Sequence, residues 1–320
     1  MKSIKWIAVF LALLVCLSGC AGTRQNSGSY NIYLIAKSST TEFWKSVFAG
    51  ANAAKSEYNV HLTILAPDTE ENFEAQNDYI RQAVADGADA IVFSAISYTE
   101  NAAAIDKAVA AGVRVVVIDS DVDSASVSAR IGTNNITAGR MSAEAALNTP
   151  QEEIVVGIVN AYAETQNCRE REQGFREALL ADSRVKGIYT VNVATDALEA
   201  QTAAEKLLGD HPEINVLIGL NEPLGVGVAK AVDSLGLTGQ VHAVSFDSNI
   251  NCIELLQTGA AAALVVQNSY AMGYLGVEKA WQVLQGEKFD STALIDTATT
   301  IVTKENMFTM ESQKAMFSFG

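Results

Sequence analysis

The chain is poor in the residues that carry most enzymatic chemistry. Histidine occurs only three times in 320 residues, as His61, His211 and His242. Their scatter offers no metal-ligand spacing, so neither a catalytic zinc nor a histidine base is expected. There is no G-x-S-x-G elbow and no G-x-x-x-x-G-K-[ST] phosphate loop. Gly225-Val226-Gly227 opens like a dinucleotide fingerprint, but Lys230 stands where the third glycine belongs. Asp119, Asp121 and Asp123 imitate the start of a calcium loop, yet the sixth position is Ser124 and the twelfth Arg130, which rejects an EF-hand. No catalytic residue, cofactor or metal is therefore expected, and the chain does not read as an enzyme. Basic residues are also scarce, 22 against 37 acidic ones, which argues against nucleic acid as a partner.

Long apolar runs are missing too. The stretch from Trp6 to Leu17 is well short of the roughly 20 residues that a membrane-spanning helix needs. Lys2 and Lys5 precede it and Ser18 and Gly19 follow it, the layout of a signal peptide. Leu17-Ser18-Gly19-Cys20 resembles a bacterial lipobox. That resemblance implies a signal peptide over 1–19, lipidation of Cys20, and a chain exported to the outer face of the cell membrane or the periplasm. Residues 20–30, rich in Gly, Ser, Thr and Asn, read as a flexible stalk. One acyl chain holds a protein only marginally, so a stable anchor takes two or more. Cleavage removes two basic residues and no acidic one, leaving 20 against 37, a net charge of −17. Of the four cysteines, Cys16 is lost and Cys20 acylated, which leaves Cys168 and Cys252 as either one disulfide or two buried thiols.

What is present is a regular alternation. From Tyr30 onward, short β-branched runs (Ile32 to Ala36, His61 to Leu65, Ala90 to Ala95, Val113 to Ile118) alternate with helical stretches from about Phe43 to Tyr58 and Glu70 to Asp86. In the second of these, Ile80, Ala83, Val84 and Gly87 share one face at helical spacing. Glu70, Glu71 and Glu74 read as its acidic, solvated first turn. A second series follows Pro150, with strands at Ile154 to Val159, Gly187 to Val193, Val216 to Leu220, Val241 to Phe246 and Ala261 to Val266. Continuous apolar strands between amphipathic helices predict parallel sheets covered on both faces. The fold class is α/β, with two Rossmann-like doubly wound lobes, and ligands bind outside the carboxyl ends of such strands.

The polar residues at those ends are the candidate site. Phe43 and Trp44 follow the first strand, where flat rings can stack on the C–H face of a sugar. Asp119 ends the run Val115 to Ile118 and can accept two charge-assisted hydrogen bonds from hydroxyls. Arg171 offers a planar fork that spans neighbouring hydroxyls. Asn221 follows Val216 to Leu220, with Pro223 placed for a first helical turn, so it can cap the helix or face a ligand. Asp247 ends Val241 to Phe246, and Gln267 closes the last strand of the second series. Thr41, beside Glu42, and Ser120 are supporting contacts. None of these pairs a nucleophile with a base.

From Asn31 to about Lys304 the chain resembles the periplasmic ribose- and galactose-type solute-binding proteins of ABC transporters. The stretches that carry the likeness are Phe43-Trp44, Val117-Ile118-Asp119, Arg169-Glu170-Arg171-Glu172-Gln173-Gly174-Phe175, Asn221-Glu222, Ser245-Phe246-Asp247 and Gln267. The resemblance implies a type I periplasmic binding protein fold with a three-strand hinge. Residues 31–132 plus 268–296 would form the N-terminal lobe, and 133–267 plus 297–320 the C-terminal lobe. It also implies a monomer that captures a monosaccharide or polyol between the lobes and hands it to a permease and its ATPase. Ligand-sensing beside a membrane sensor kinase is the alternative on the same fold. Ser120-Asp121 departs from the arginine of ribose binders and the asparagine of galactose binders. It makes the expected cleft more acidic, suited to a neutral hexose, a polyol or a furanose signal rather than to a sugar phosphate or acid.

Overall fold

The computed structural model describes residues 29–162 and 165–317. The signal peptide, Cys20 and nearly all of the stalk lie outside the described residues. The elements run β1 (Asn31–Ile35), α1 (Glu42–Glu57), β2 (His61–Leu65), α2 (Phe73–Ala85), β3 (Ala90–Phe93), α3 (Ala102–Ala110), β4 (Arg114–Ile118) and β5 (Ala129–Gly132). Then come α4 (Asn135–Leu147), β6 (Ile154–Ala161), α5 (Gln166–Leu179), β7 (Val185–Val193), α6 (Ala197–Asp210), β8 (Val216–Gly219), α7 (Glu222–Ser234) and β9 (His242–Phe246). The chain ends through α8 (Ile250–Thr258), β10 (Ala263–Gln267), α9 (Ser269–Leu284), β11 (Leu294–Asp296), β12 (Thr299–Thr303) and α10 (Met310–Met316). No helix of the described residues is long and apolar enough to cross a membrane.

The strands form two six-stranded sheets, in the orders β11-β5-β4-β3-β1-β2 and β12-β10-β9-β8-β6-β7. All neighbours are parallel except β12, which runs antiparallel to β10 from Thr299 opposite Gln267 to Thr303 opposite Ala263. Every residue of β3, β8 and β10 is buried, as expected of parallel strands covered on both faces. The chain passes between the sheets three times, after Gly132, after Gln267 and after Asp296.

Local chemistry sets the helix starts. Thr41, Asn72, Asn134, Asn221, Asn249 and Asn268 each accept the backbone N–H three residues on, which satisfies a donor with no partner inside the helix. The cap at Asn72 corrects one expectation: α2 begins at Phe73, so Glu70 and Glu71 precede the helix and only Glu74 occupies its first turn. The short strands β5 and β11 carry no pattern that announces them. Arg130 interrupts the apolar run of β5, and Leu294 and Asp296 of β11 are exposed. A disulfide is ruled out as well. Cys168 and Cys252 are free and buried in separate core clusters, each packed as a small apolar side chain.

Two helix pairs touch at backbone distance. A Cβ on Gly174 of α5 would lie 2.0 Å from the Ile136 carbonyl oxygen, and one on Gly139 of α4 would lie 2.2 Å from that of Arg171. In the other lobe a Cβ on Gly50 of α1 would meet Tyr270 O at 2.0 Å, and one on Gly273 of α9 would meet Val47 O at 1.9 Å. Backbone cannot yield as a side-chain tip can, so Gly174→Ala should cost about 1–3 kcal/mol in urea unfolding. Gly209, near the end of α6, has open space where a Cβ would stand. Gly209→Ala should be neutral or stabilising by up to about 1 kcal/mol, and equal losses at both positions would refute the close-approach account.

Candidate functional site

The carboxyl ends of the two sheets face each other. Between them lies a narrow cavity of about 20 Å³, the walls having drawn nearly together. It is lined by Lys37, Thr41, Phe43, Glu70, Asp119, Asn167, Arg171, Asn221, Glu222, Pro223, Asp247 and Gln267.

The first-lobe wall is built on an ion triad. Lys37, two residues past β1, is buried with its Nζ 3.1 Å from Glu70 Oε2 and 3.4 Å from Asp119 Oδ2. Burial pushes the ammonium down, but the charges of Glu70 and Asp119 outweigh that and raise its pKa. Glu70 is steadied by the Trp44 indole, whose Nε1 donates to Oε1 at 2.8 Å. Asp119 accepts from Ser94 Oγ at 3.0 Å. It also accepts from Asn167 Nδ2 of the other lobe at 3.1 Å.

The second-lobe wall is organised by Arg171, which is 1% exposed. Its Nε donates to Asn135 Oδ1 at 3.0 Å, Nη1 to the Leu220 carbonyl at 2.9 Å and Nη2 to Gln267 Oε1 at 2.6 Å. The guanidinium also lies 4.6 Å from the Phe246 ring centroid. Gln267 passes the connection on. Its Oε1 also meets Thr133 Oγ1 at 3.0 Å, and its Nε2 donates to Asp247 Oδ1 at 2.9 Å. Asn221 caps α7 through Oδ1, with Leu224 N at 3.1 Å, and also lines the cavity wall.

Glu222 joins the lobes. Its Oε2 accepts Phe43 N at the start of α1 at 2.7 Å, and Oε1 accepts Asn249 Nδ2 at 2.9 Å. Two further contacts cross the cleft: Glu71 Oε1 accepts Thr195 N at 2.8 Å, and the Arg169 guanidinium lies 5.5 Å from the Tyr98 ring centroid. The lobes are therefore closed on each other. Asp119 and Asp247, at equivalent strand ends, both take left-handed backbone, with φ of 57° and 64°. Aspartate tolerates that region better than most residues, and both side chains line the cavity.

The structure brings Thr41, Phe43, Asp119, Arg171, Asn221, Asp247 and Gln267 together as cavity lining. It does not bring Trp44 or Ser120 there. Trp44 is fully buried in the first-lobe core and turned edge-on to Phe43, because only one of two adjacent aromatics can face the cleft. Ser120 is buried, its N–H directed at Ser94 Oγ, and its own Oγ has no partner. Five lining residues were not among the candidates: Lys37, Glu70, Asn167, Glu222 and Pro223. Lys37 was detectable, since it follows a strand end as Asp119 and Asp247 do. Glu70 was assigned to a solvated helix face and is instead nine-tenths buried at its side chain.

A periplasmic binding protein domain model matches residues 32–288. The chain is 24% identical over 284 residues to the D-ribose/D-allose-binding protein of Pseudomonas aeruginosa, covering 85% of this chain and 88% of the relative. It is 24% identical over 298 residues to the ribose import binding protein of Bacillus subtilis, covering 90% and 96%. Its fold is similar to a carbohydrate transporter solute-binding protein from Agrobacterium radiobacter in complex with D-arabinose, with TM-score 0.86 and 27% identity over 91% of this chain and 100% of that one. An ABC transporter solute-binding protein from Agrobacterium vitis with bound D-fucose gives TM-score 0.86 and 27% identity, over 90% and 100%.

Burial, with the nearby Asp247 charge, pushes Glu222 up from 4.5 to about 7. Burial likewise raises Asp247 from 3.8 to about 6, against the pull of Arg171. A carboxyl raised in the folded state holds its proton there after the unfolded chain has lost it, so stability falls as pH rises through these windows. The protein without ligand should lose stability between about pH 4 and pH 7 in thermal unfolding. Glu222→Gln should flatten that slope and leave the variant roughly 1–3 kcal/mol more stable than the parent on the alkaline side of neutrality. An unchanged slope would mean that Glu222 is not desolvated in solution.

Proposed function

The chain belongs to the periplasmic binding protein domain family, and on that premise we propose that it is a lipid-anchored solute-binding protein that captures a monosaccharide or related polyol between its lobes and delivers it to an ABC transporter permease. The observation that carries this reading is the closed cavity itself. Its lining brings together one aromatic ring and amide, carboxylate and guanidinium groups from both sheets. Carboxylates such as Asp119 and Asp247 accept paired hydroxyls, Asn221 supplies an amide, and Phe43 offers a flat apolar face. That set matches a small ring studded with hydroxyls.

Closure is part of the function. A ligand that touches both walls favours the closed state by the contacts it makes only there. The first wall moves with Lys37, Phe43 and Asp119, the second with Asn221, Asp247 and Gln267. A permease can then distinguish loaded from empty protein by shape. The family works outside the cytoplasm, and relatives with ribose or allose in their names and neighbours holding D-arabinose or D-fucose support a sugar. Lipidation at Cys20, a monomeric state and delivery to a permease with its ATPase are proposed from the resemblance and the lipobox-like Leu17-Ser18-Gly19-Cys20.

In a thermal-shift screen of pentoses, hexoses and polyols, a ligand at about 100 times its Kd should add about 2.7 kcal/mol of stability. Asp247→Asn should remove the response to that ligand. A panel in which no sugar or polyol shifts the transition would sink the sugar reading. For the anchor, Cys20→Ser in the full chain should move the protein from the membrane fraction to the soluble one and abolish labelling by radioactive palmitate. Unchanged labelling would place the lipid elsewhere.

A further inference from the structure

The charges in the cavity wall do not balance. Two cations, Lys37 and Arg171, face four carboxyl groups, Glu70, Asp119, Glu222 and Asp247. Lys37 is already committed to Glu70 and Asp119 by ion pairs of 3.1 and 3.4 Å. Arg171 gives three of its five donors to the neutral oxygens of Asn135, Leu220 and Gln267, and its charge reaches Asp247 without ion-pair contact. Among the described residues, no Lys or Arg nitrogen forms an ion pair with Asp247 or Glu222. Both are only 6% exposed, so water does little to offset their charge.

We infer that the solute carries a positive charge, and that an amino sugar or amino polyol places its ammonium against Asp247 and Glu222. This rests on the sugar reading of the same cavity and sharpens it. Buried carboxylates without a cation are costly, and an incoming ammonium supplies charge-assisted hydrogen bonds where only amide donors now serve. The partners already present leave room for it. Asp247 accepts from Gln267, whose Nε2 lies 2.9 Å from Oδ1 and 3.2 Å from Oδ2 and whose backbone amide also contributes, and Glu222 accepts from Phe43 N and Asn249 Nδ2 with the Glu42 backbone amide beside them. A carboxylate has about four lone-pair sites, so acceptor capacity remains on both groups. The first-lobe triad, internally neutralised apart from one carboxylate charge, is left to the hydroxyl end. The rise of both groups above their ordinary values, driven first by burial, is the same imbalance expressed as proton affinity.

The test is isothermal titration of the full chain at neutral pH with a panel of pentoses and hexoses, each beside its amino-deoxy and N-acetylated forms. The amino form should bind about tenfold tighter than its neutral parent, the worth of one charge-assisted hydrogen bond. N-acetylation, which removes the charge and keeps the ring, should abolish that advantage. Glu222→Gln should lower the ratio of amino to neutral affinity. Neutral parents that bind as tightly as or tighter than their amino forms would overturn this inference and leave the sugar reading standing, with the two carboxyl groups held by protons instead. A panel in which neither class binds would overturn both.

Discussion

The second wall of the cleft depends on one buried guanidinium. Arg171 cannot shed its charge, and in the interior it needs an acceptor for every donor it presents. Three of its five donors find acceptors on separate parts of the chain: Asn135 at the start of α4, the carbonyl of Leu220 just past β8, and Gln267 at the last residue of β10. The same side chain thus ties a helix, a strand end and one of the three passages between sheets. Its own position is set from below, because Gly174 lets α5 settle against α4 at backbone distance. Besides lining the cavity, the residue orients Gln267, and Gln267 orients Asp247.

This arrangement changes how the arginine is understood. A planar fork at a strand-end site suggests two sugar hydroxyls, yet here three of its five N–H donors are already given to protein oxygens. The first lobe repeats the logic with Lys37, whose ammonium holds Glu70 and Asp119 in place. Each wall has one buried cation that organises acceptors, and the acceptors face the cavity. Where the walls differ is in balance: Lys37 is shared by two carboxylates in ion-pair contact, whereas Asp247 and Glu222 have no such partner.

The fold was legible because its signals are strong and local. Runs such as Ala90 to Phe93 are apolar throughout, which only a doubly covered parallel strand accommodates. Asn at so many helix starts marks boundaries through a defined hydrogen bond. The short strands β5 and β11 were not legible, since three or four residues with a charge or an exposed side chain make no period. The site was legible wherever a polar residue directly follows a strand, as with Asp119, Asn221 and Asp247. It was illegible where role depends on rotation or on distant partners. Nothing local says that Phe43 rather than Trp44 faces the cleft, or that Glu70 turns inward to a lysine 33 positions earlier in the chain. Cys168 and Cys252 show the same limit, because spacing along the chain carries no information about which core cluster receives each thiol.

The route of the backbone has a consequence for how such a molecule comes into being. The first sheet takes five of its strands from the beginning of the chain, but α9, which seats on α1 through Gly50 and Gly273, and the edge strand β11 arrive only after Asn268. A chain that crosses a membrane from its amino end presents β1 to β5 long before the helix that covers them. Meanwhile β6 to β10 emerge as a continuous block that lacks only the edge strand β12 and the helix α10. The lobe that leaves first must wait, with the apolar flank of Val47, Ala51 and Ala54 uncovered, until almost the whole polypeptide has followed. The lobe begun first closes only once α9 and β11 have followed, and the second lobe receives β12 and α10 after that.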